Sequence, residues 1–298
     1  MRIAVLSDLH GNPYACRAAI DSLTAEGPFE AIVVAGDLCL GGSNPALCLD
    51  MLGEIGALAV YGNTEAYLCN PEQIPPDDLH RKQTPLPPIQ WTNAQVTEQQ
   101  YAWIKTLPRE RRFSPTGNPC DDLVVVHANP KNLELMIYPP MEEQARLDEE
   151  IYQPDDDPAL CDVLTDLQAG VLTFGHYHYT SVRLWHNLTL VNVATCSLPT
   201  IDHDPRARYT IFTWMGTRWE FSRFWVPYEV DRELAALRTC GMPNWQRFAR
   251  GTKVPGSGLK NPLKRAKLGF EPPLGGFLGL SRGIHPRRGS PFFNPGML

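Results

Sequence analysis

The sequence predicts an α/β protein, and three observations carry that prediction. Short apolar runs alternate with segments of helical spacing over the first 63 residues. Each of those runs stops at a glycine or a polar residue. Beyond residue 178 the helical spacing gives way to β-branched and aromatic runs with turn residues between them.

The elements follow in order. "RIAVLS" (2–7) reads as a fully buried strand running into polar "DLHGN". Asn12-Pro13 starts a helix, with Asn as cap and Pro in the first turn, and "YACRAAIDSL" continues it. "FEAIVVAGD" (29–37) is a second buried strand, "NPALCLDMLGEIG" (44–56) repeats the Asn-Pro helix start, and "ALAVYGN" (57–63) is a third strand. This β-α-β-α-β order implies parallel strands with helices packed on the sheet. Residues 70–95 are Pro-rich and read as irregular; the whole of 70–120 is expected to form a lid-like insertion. Within it, "TEQQYAWIKTLP" (97–108) is a helix with a Thr cap. "DDLVVVHANP" (121–130) is a strand ending at His127, "MEEQARLDEEIY" (141–152) an exposed acidic helix, and "PALCDVLTDL" (158–167) another helix. "GVLTFGHYH" (170–178) is a strand closed by two histidines. Four runs in 181–228 are expected to pair antiparallel in a second sheet, and "EVDRELAALRTCG" (229–241) closes as a helix.

Composition narrows the function class. Of the 27 Lys and Arg, eleven lie in residues 238–298, which hold one acid, Glu271; the first 237 residues carry sixteen bases against thirty-two acids. An acidic body argues against a nucleic-acid-wrapping surface and suits a site that concentrates cations. The 238–298 tail is basic and Gly/Pro-rich, and by composition reads as disordered, leaving 1–237 as the domain. No run of 18 apolar residues predicts a membrane span, and the N-terminus lacks the pattern of a signal peptide. The eight cysteines include no CxxC pair and read as reduced thiols in a cytoplasmic protein.

The polar strand ends collect Asp8, His10, Asp37, Asn63, His127, His176 and His178. In open α/β sheets, chemistry gathers beyond the carboxyl ends of the strands. Each residue alone reads as a turn residue or a packed histidine. Together they are carboxylate, imidazole and carboxamide donors, the set for Mn, Fe, Zn or similar divalent ions and unlike a soft thiolate site. Seven donors are too many for one tetrahedral ion and enough for two ions sharing a carboxylate.

At this point the chain resembles a known family. "SDLHGN", "AGDL", "YGNTE", "VVHANP" and "FGHYH" match, in order, the five motifs of the calcineurin-like metallophosphoesterase superfamily. "LVNVATCSLP" and "HDPRARY" are similar to later motifs of its smaller prokaryotic phosphodiesterase/phosphatase branch. The resemblance spans residues 1–235. It implies a four-layer αββα sandwich, two mixed sheets flanked by helices. It implies two divalent metal ions, with manganese expected first and iron, zinc, nickel or magnesium as alternatives. Asp8, His10, Asp37 and His178 would hold one ion; Asp37, Asn63, His127 and His176 the other. The implied reaction is hydrolysis of a small phosphorylated substrate, monoester or diester, by a metal-bridging hydroxide, with Asp37, Asn63 and His127 at the reacting centre. Many members carry His after the G-N asparagine as proton donor. Here that position is Thr64, followed by Glu65. Either Glu65 or another group protonates the leaving group, or good leaving groups such as aryl or cyclic phosphates are preferred. "GDLCLGG" lacks the Asp-Arg pair of the protein Ser/Thr phosphatases, which disfavours that identity. The other class the resemblance allows is a metal-binding interaction scaffold on the same fold.

Overall fold

The structure is a computed structural model. It describes residues 1–71, 74, 86–147, 151–199 and 201–252. These residues belong to one compact unit, Met1–Lys260; a second unit, 261–298, lies outside the described residues.

Two five-stranded sheets face each other. The first has the order β10-β9-β1-β2-β3 and the second β4-β5-β6-β8-β7. In the first, β1 (Arg2–Leu6), β2 (Ala31–Val34) and β3 (Leu58–Ala59) are parallel, as the β-α-β-α-β reading requires. β9 (Ala207–Trp214) adds antiparallel to the free edge of β1, and β10 (Trp219–Val226) follows it. In the second, β5 (Leu123–Val126), β6 (Val171–Phe174) and β8 (Leu188–Val193) run parallel, while β4 (Glu110–Phe113) and β7 (Thr180–Trp185) close the edges antiparallel. Both sheets are therefore mixed.

Strand alternation builds three cores between four layers. Ile3 and Val5 of β1 face the second sheet with Val33, Val125, Val171, Val191 and Phe212. Ala4 and Leu6 face the other way, onto α1 (Pro13–Glu26) and α2 (Pro45–Glu54). On the far side of the second sheet, Val124, Leu172 and Leu190 meet Leu160, Val163 and Leu164 of the helix Pro158–Leu164. Burying each such side chain contributes about 1.5–3 kcal/mol.

Asn12 and Asn44 cap α1 and α2 through their side-chain oxygens, with a proline in each first turn, as the paired Asn-Pro starts predict. Thr97 caps its helix through a reciprocal box with Gln100.

Four expectations need correction. The runs in 181–228 do not form one sheet: β7 and β8 join the second sheet and β9 and β10 the first. The exposed edge of β1 is a partner that local sequence cannot reveal. The Pro-rich stretch is not irregular throughout: Leu86–Gln95 is a helix, α4, since Pro87 and Pro88 sit in the first turn, where backbone N–H groups need no intrahelical partner. Asn63–Cys69 is a further helix, α3. Glu110–Phe113 is a strand whose charged residues suit a sheet edge. The rest of the expected insertion, 72–73 and 75–85, lies outside the described residues, as does His80.

The remaining helices are α5 (Glu98–Lys105), α6 (Met141–Leu147), α7 (Pro158–Leu164), α8 (Val230–Thr239) and α9 (Trp245–Thr252). Order thus runs past residue 237. α8 and α9 pack on each other. Buried Glu233 of α8 accepts from Ser43 N (2.8 Å) and Ser43 Oγ (2.6 Å). Phe248 of α9 covers Gly41, where a Cβ would stand 2.7 Å from its ring. Residues 253–298, which hold most of the basic tail and His285, lie outside the described residues.

Candidate metal centre

The seven predicted residues meet at one place, where the strands of both sheets end. Asp8 and His10 follow β1, Asp37 follows β2, and Asn63 opens α3 after β3. His127 follows β5, and His176 and His178 follow β6. The first sheet thus supplies four side chains and the second three.

Backbone hydrogen bonds keep the loops paired after the strands stop. Asp8 N donates to Gly36 O (3.1 Å), His10 N to Asp37 O (2.9 Å) and Gly11 N to Leu38 O (2.9 Å). Asp8, His10, Asp37, His176 and His178 all have φ between +50° and +62°. That region is strained for residues with a Cβ and costs on the order of 1–3 kcal/mol each. Five of them at one site mean that the surrounding fold holds the ligand side chains in place.

Close approach of the loops demands glycine at two positions. A Cβ at Gly36 would stand 2.6 Å from His127 Nδ1 and 2.9 Å from Gly62 Cα. A Cβ at Gly175 would overlap Ser7 Oγ and Asp8 Oδ2, and lie 2.6 Å from Ser7 Cβ.

Every histidine of the cluster turns one ring nitrogen to a backbone carbonyl. His10 Nδ1 faces Leu40 O (2.8 Å), His127 Nδ1 faces Ala35 O (2.8 Å), and His178 Nδ1 faces Leu198 O (2.7 Å). His176 uses Nε2, 3.1 Å from Glu134 O. A carbonyl accepts only, so each of these nitrogens carries the proton and the other presents a lone pair inward. The inward nitrogens form two pairs. His10 Nε2 and His178 Nε2 are 3.2 Å apart; His127 Nε2 and His176 Nδ1 are 3.1 Å apart.

The carboxylates lie between them. Asp8 Oδ1 is 3.2 Å from His178 Nε2 and 3.8 Å from His10 Nε2. Asp37 Oδ2 is 3.7 Å from His10 Nε2, and Asp37 Oδ1 is 3.4 Å from His127 Nε2, so Asp37 faces both pairs. Asn63 Oδ1 stands 2.8 Å from His127 Nε2. With that amide turned over, its NH2 would donate to His127 Nε2 and to both Asp37 oxygens (3.1 and 3.2 Å). As it stands, a carbonyl oxygen, lone-pair nitrogens and carboxylate oxygens all converge. Such a set fits a cation among the acceptors.

The electrostatics agree. Burial would raise the pKa of Asp8, but His178, His127 and His10 override it and hold the carboxyl well below its usual range. Burial also opposes charge on His178 and His127, yet Asp8 and Asp37 raise both. Burial lowers His10, with His178 adding to the effect, and pushes His176 down to about 4, with His127 adding to it. In each imidazole pair one partner goes up and the other down, because two positive charges 3 Å apart repel. Positive charge is wanted at both places.

Among the described residues, two sets of potential ligand atoms each lie within 4.8 Å of one another: Asp8, His10 and His178, and Asp8, Asp37 and His127. Asn63 and His176 join the second group through His127.

Glu65 does not face the cluster. Its Oε2 accepts from Asp37 N (2.8 Å) and Gly62 N (3.0 Å), and its Oε1 accepts from Leu38 N (2.8 Å). Burial and the Asp37 charge push its pKa up to about 7. It braces the β2 loop from the first turn of α3. Arg206 and Arg208 pair with Asp204 and Asp202. Tyr177, between His176 and His178, is buried against Tyr138.

Sequence reasoning missed the carbonyl partners of the histidines and the loop 195–198. There, Thr195 Oγ1 donates to Asp8 O (2.9 Å), and Leu198 supplies the carbonyl that orients His178. "NVATCS" marks the loop, but only its path over β1 shows the purpose.

Comparison with known proteins agrees with the geometry. The chain is 27% identical over 136 residues to the uncharacterized protein MJ0912 of Methanocaldococcus jannaschii, covering 46% of this chain and 53% of that one. It therefore spans about half the length of the curated relative it matches. Its fold is similar to a metallophosphoesterase from Sphaerobacter thermophilus (TM-score 0.58, 22% identity, 84% of this chain and 100% of that one). It is also similar to the hypothetical protein PH1004 of Pyrococcus horikoshii (TM-score 0.65, 15% identity, 86% and 98%). Residues 1–180, which contain all seven candidate ligand side chains, match the family model described as calcineurin-like phosphoesterase. The chain belongs to the calcineurin-like phosphoesterase family.

Proposed function

We propose that this protein is a hydrolase of phosphate esters that works with two divalent metal ions. One observation carries the reading: seven donor side chains converge with every histidine proton turned outward to a carbonyl, and Asp37 lies between two imidazole pairs. Two ions bound there would polarise the phosphoryl oxygens and make a water nucleophilic near neutral pH. Asp37 presents one oxygen to each half of the site, and Asn63 offers its carbonyl beside His127. We assign Asp8, His10, Asp37 and His178 to one ion and Asp37, Asn63, His127 and His176 to the other, with manganese the first candidate.

The leaving group narrows the substrate. The Thr64 hydroxyl donates to Asp37, and the Glu65 carboxylate is taken by backbone N–H groups. Neither is placed to protonate a departing alkoxide. The preferred substrates are therefore small esters whose leaving groups depart unprotonated, aryl or cyclic phosphates among them. The acidic body and the absence, among the described residues, of a helix long and apolar enough to cross a membrane are compatible with a small phosphorylated substrate.

The test is hydrolysis of bis-p-nitrophenyl phosphate and p-nitrophenyl phosphate by metal-stripped protein, with Mn, Mg, Zn, Ni or Fe(II) added back. Metal-dependent turnover that vanishes in Asp37→Ala is the expected result. Well-folded protein that binds the ions yet hydrolyses neither ester would move the assignment to an interaction scaffold on this fold.

A further inference from the structure

Thr64 occupies the second position of α3, directly after Asn63, and is 6% exposed. Both of its donors converge on one atom. The Thr64 backbone N–H donates to Asp37 Oδ1 at 3.0 Å, and the hydroxyl donates to the same oxygen at 2.9 Å. The hydroxyl also lies 3.3 Å from Glu65 Oε1, a longer and weaker alternative for its single proton. Residues 64 and 65 therefore grip Asp37 from two sides: Glu65 binds its backbone N–H and Thr64 its carboxylate.

We propose that Thr64 is the positioning residue of the Asp37 carboxylate and that it sets the relative affinity of the two metal half-sites. The inference rests on the reading that the cluster binds two ions. Torsion about the terminal bond of an Asp side chain is broad, so a carboxylate with no partners samples many orientations of its plane. With two donors on Oδ1, rotation away from this orientation loses both bonds. Oδ1 is the oxygen 3.4 Å from His127, and Oδ2 is the one facing His10 at 3.7 Å. Thr64 thus fixes the plane of the carboxylate, with one oxygen toward His127 and the other toward His10, before any ion arrives. The branched Cβ of Thr limits the hydroxyl to few rotamers, which suits a fixed clamp. The first half has its own anchor, Asp8, whose Oδ2 accepts from His176 N (3.0 Å) independently of Thr64. Loss of the hydroxyl should therefore act on the two halves unequally. Partners that orient metal ligands typically change affinity by about 10- to 100-fold.

The experiment is Mn(II) titration of metal-stripped wild type, Thr64→Ser and Thr64→Val at one pH. Binding is followed calorimetrically and by electron paramagnetic resonance of the coupled Mn pair. Wild type and Thr64→Ser are expected to bind two ions and give the coupled signal. Thr64→Val is expected to bind one ion at near wild-type affinity and the second about 10-fold or more weakly, with an uncoupled signal at one equivalent. Equal affinities for both ions in Thr64→Val would overturn the proposal. So would equal weakening of both ions, or a Thr64→Ser protein that behaves like Thr64→Val. Thr64→Ala gives the same readout if valine proves too bulky for folding. Wild type that binds two ions but hydrolyses no ester would overturn the proposed function and leave this assignment standing. Wild type that binds fewer than two ions would overturn both.

Discussion

Adding one methyl group at Gly175 tests how the two sheets are joined at the site. A Cβ there would overlap Ser7 Oγ and Asp8 Oδ2 and stand 2.6 Å from Ser7 Cβ. Ser7 and Asp8 are fully buried, so they have no space to retreat into. The strand ends must part. Overpacking of this kind costs about 1–3 kcal/mol. Separation also breaks the bond from His176 N to Asp8 Oδ2, a charge-assisted bond worth about 1.5–3 kcal/mol. Together Gly175→Ala is expected to destabilise by about 3–5 kcal/mol. For a domain of this size that is a fall in Tm of about 6–20 °C. Gly53→Ala is the control: it lies in α2, with nothing within 4 Å of the added atom. Helix propensity makes that change neutral or stabilising by up to about 1 kcal/mol. Thermal unfolding of both variants, with Mn(II) titration of each, is the assay. A Gly175→Ala protein with wild-type Tm and wild-type ion binding would refute the close junction described here.

Three further expectations follow from the same geometry. Burial pushes Glu233 up to about 7 from an ordinary 4.5, so between those pH values the folded state binds more protons than the unfolded one. Stability should fall as pH rises through that window, by up to about 3 kcal/mol. Urea denaturation at pH 4.5 to 7.5 should show a shallower fall for Glu233→Gln, and identical slopes would show that Glu233 is not the source. Chelation should lower Tm, and Mn(II) at about 1,000 times its Kd should restore about 4 kcal/mol; a Tm indifferent to both would mean that no ion binds the folded state. A chain ending after residue 237 loses Phe248 from the face of Gly41 and should melt several degrees below one ending after 252. Equal melting would show that α9 adds nothing to the fold.

The convergence of the seven side chains was legible because strand ends are written locally. An apolar run, a glycine and a polar residue together say where a side chain emerges beyond the sheet, and this occurs for Asp37, Asn63 and His176 alike. The parallel β1-β2-β3 core was legible for the same reason. What escaped depended on partners far along the chain. β9 and β10 carry the same β-branched and aromatic signal as β7 and β8, and only the free edge of β1, some 200 residues earlier, separates them. α4 was hidden by prolines that a first turn tolerates. The bracing contacts of Glu65 were not legible, because its residue type suits acid chemistry, whereas its position, third in a helix, also suits the capture of N–H groups. The histidine tautomers depend on carbonyls from loops after β2, β5 and the 195–198 turn, contacts that no local pattern encodes.

The division of the candidate ligands between the sheets, four from one and three from the other, bears on how the protein comes apart. Ile3, Val5, Val125 and Phe212 join the sheets by contact between apolar faces alone, an interaction without direction. Ions at the rim would add rivets with fixed geometry, so that neither sheet could lift away without breaking metal bonds. Hydrogen exchange would read this as a change of cooperativity. With ions bound, the amides of β1 and β6 should open together; after chelation, each sheet should open on its own schedule.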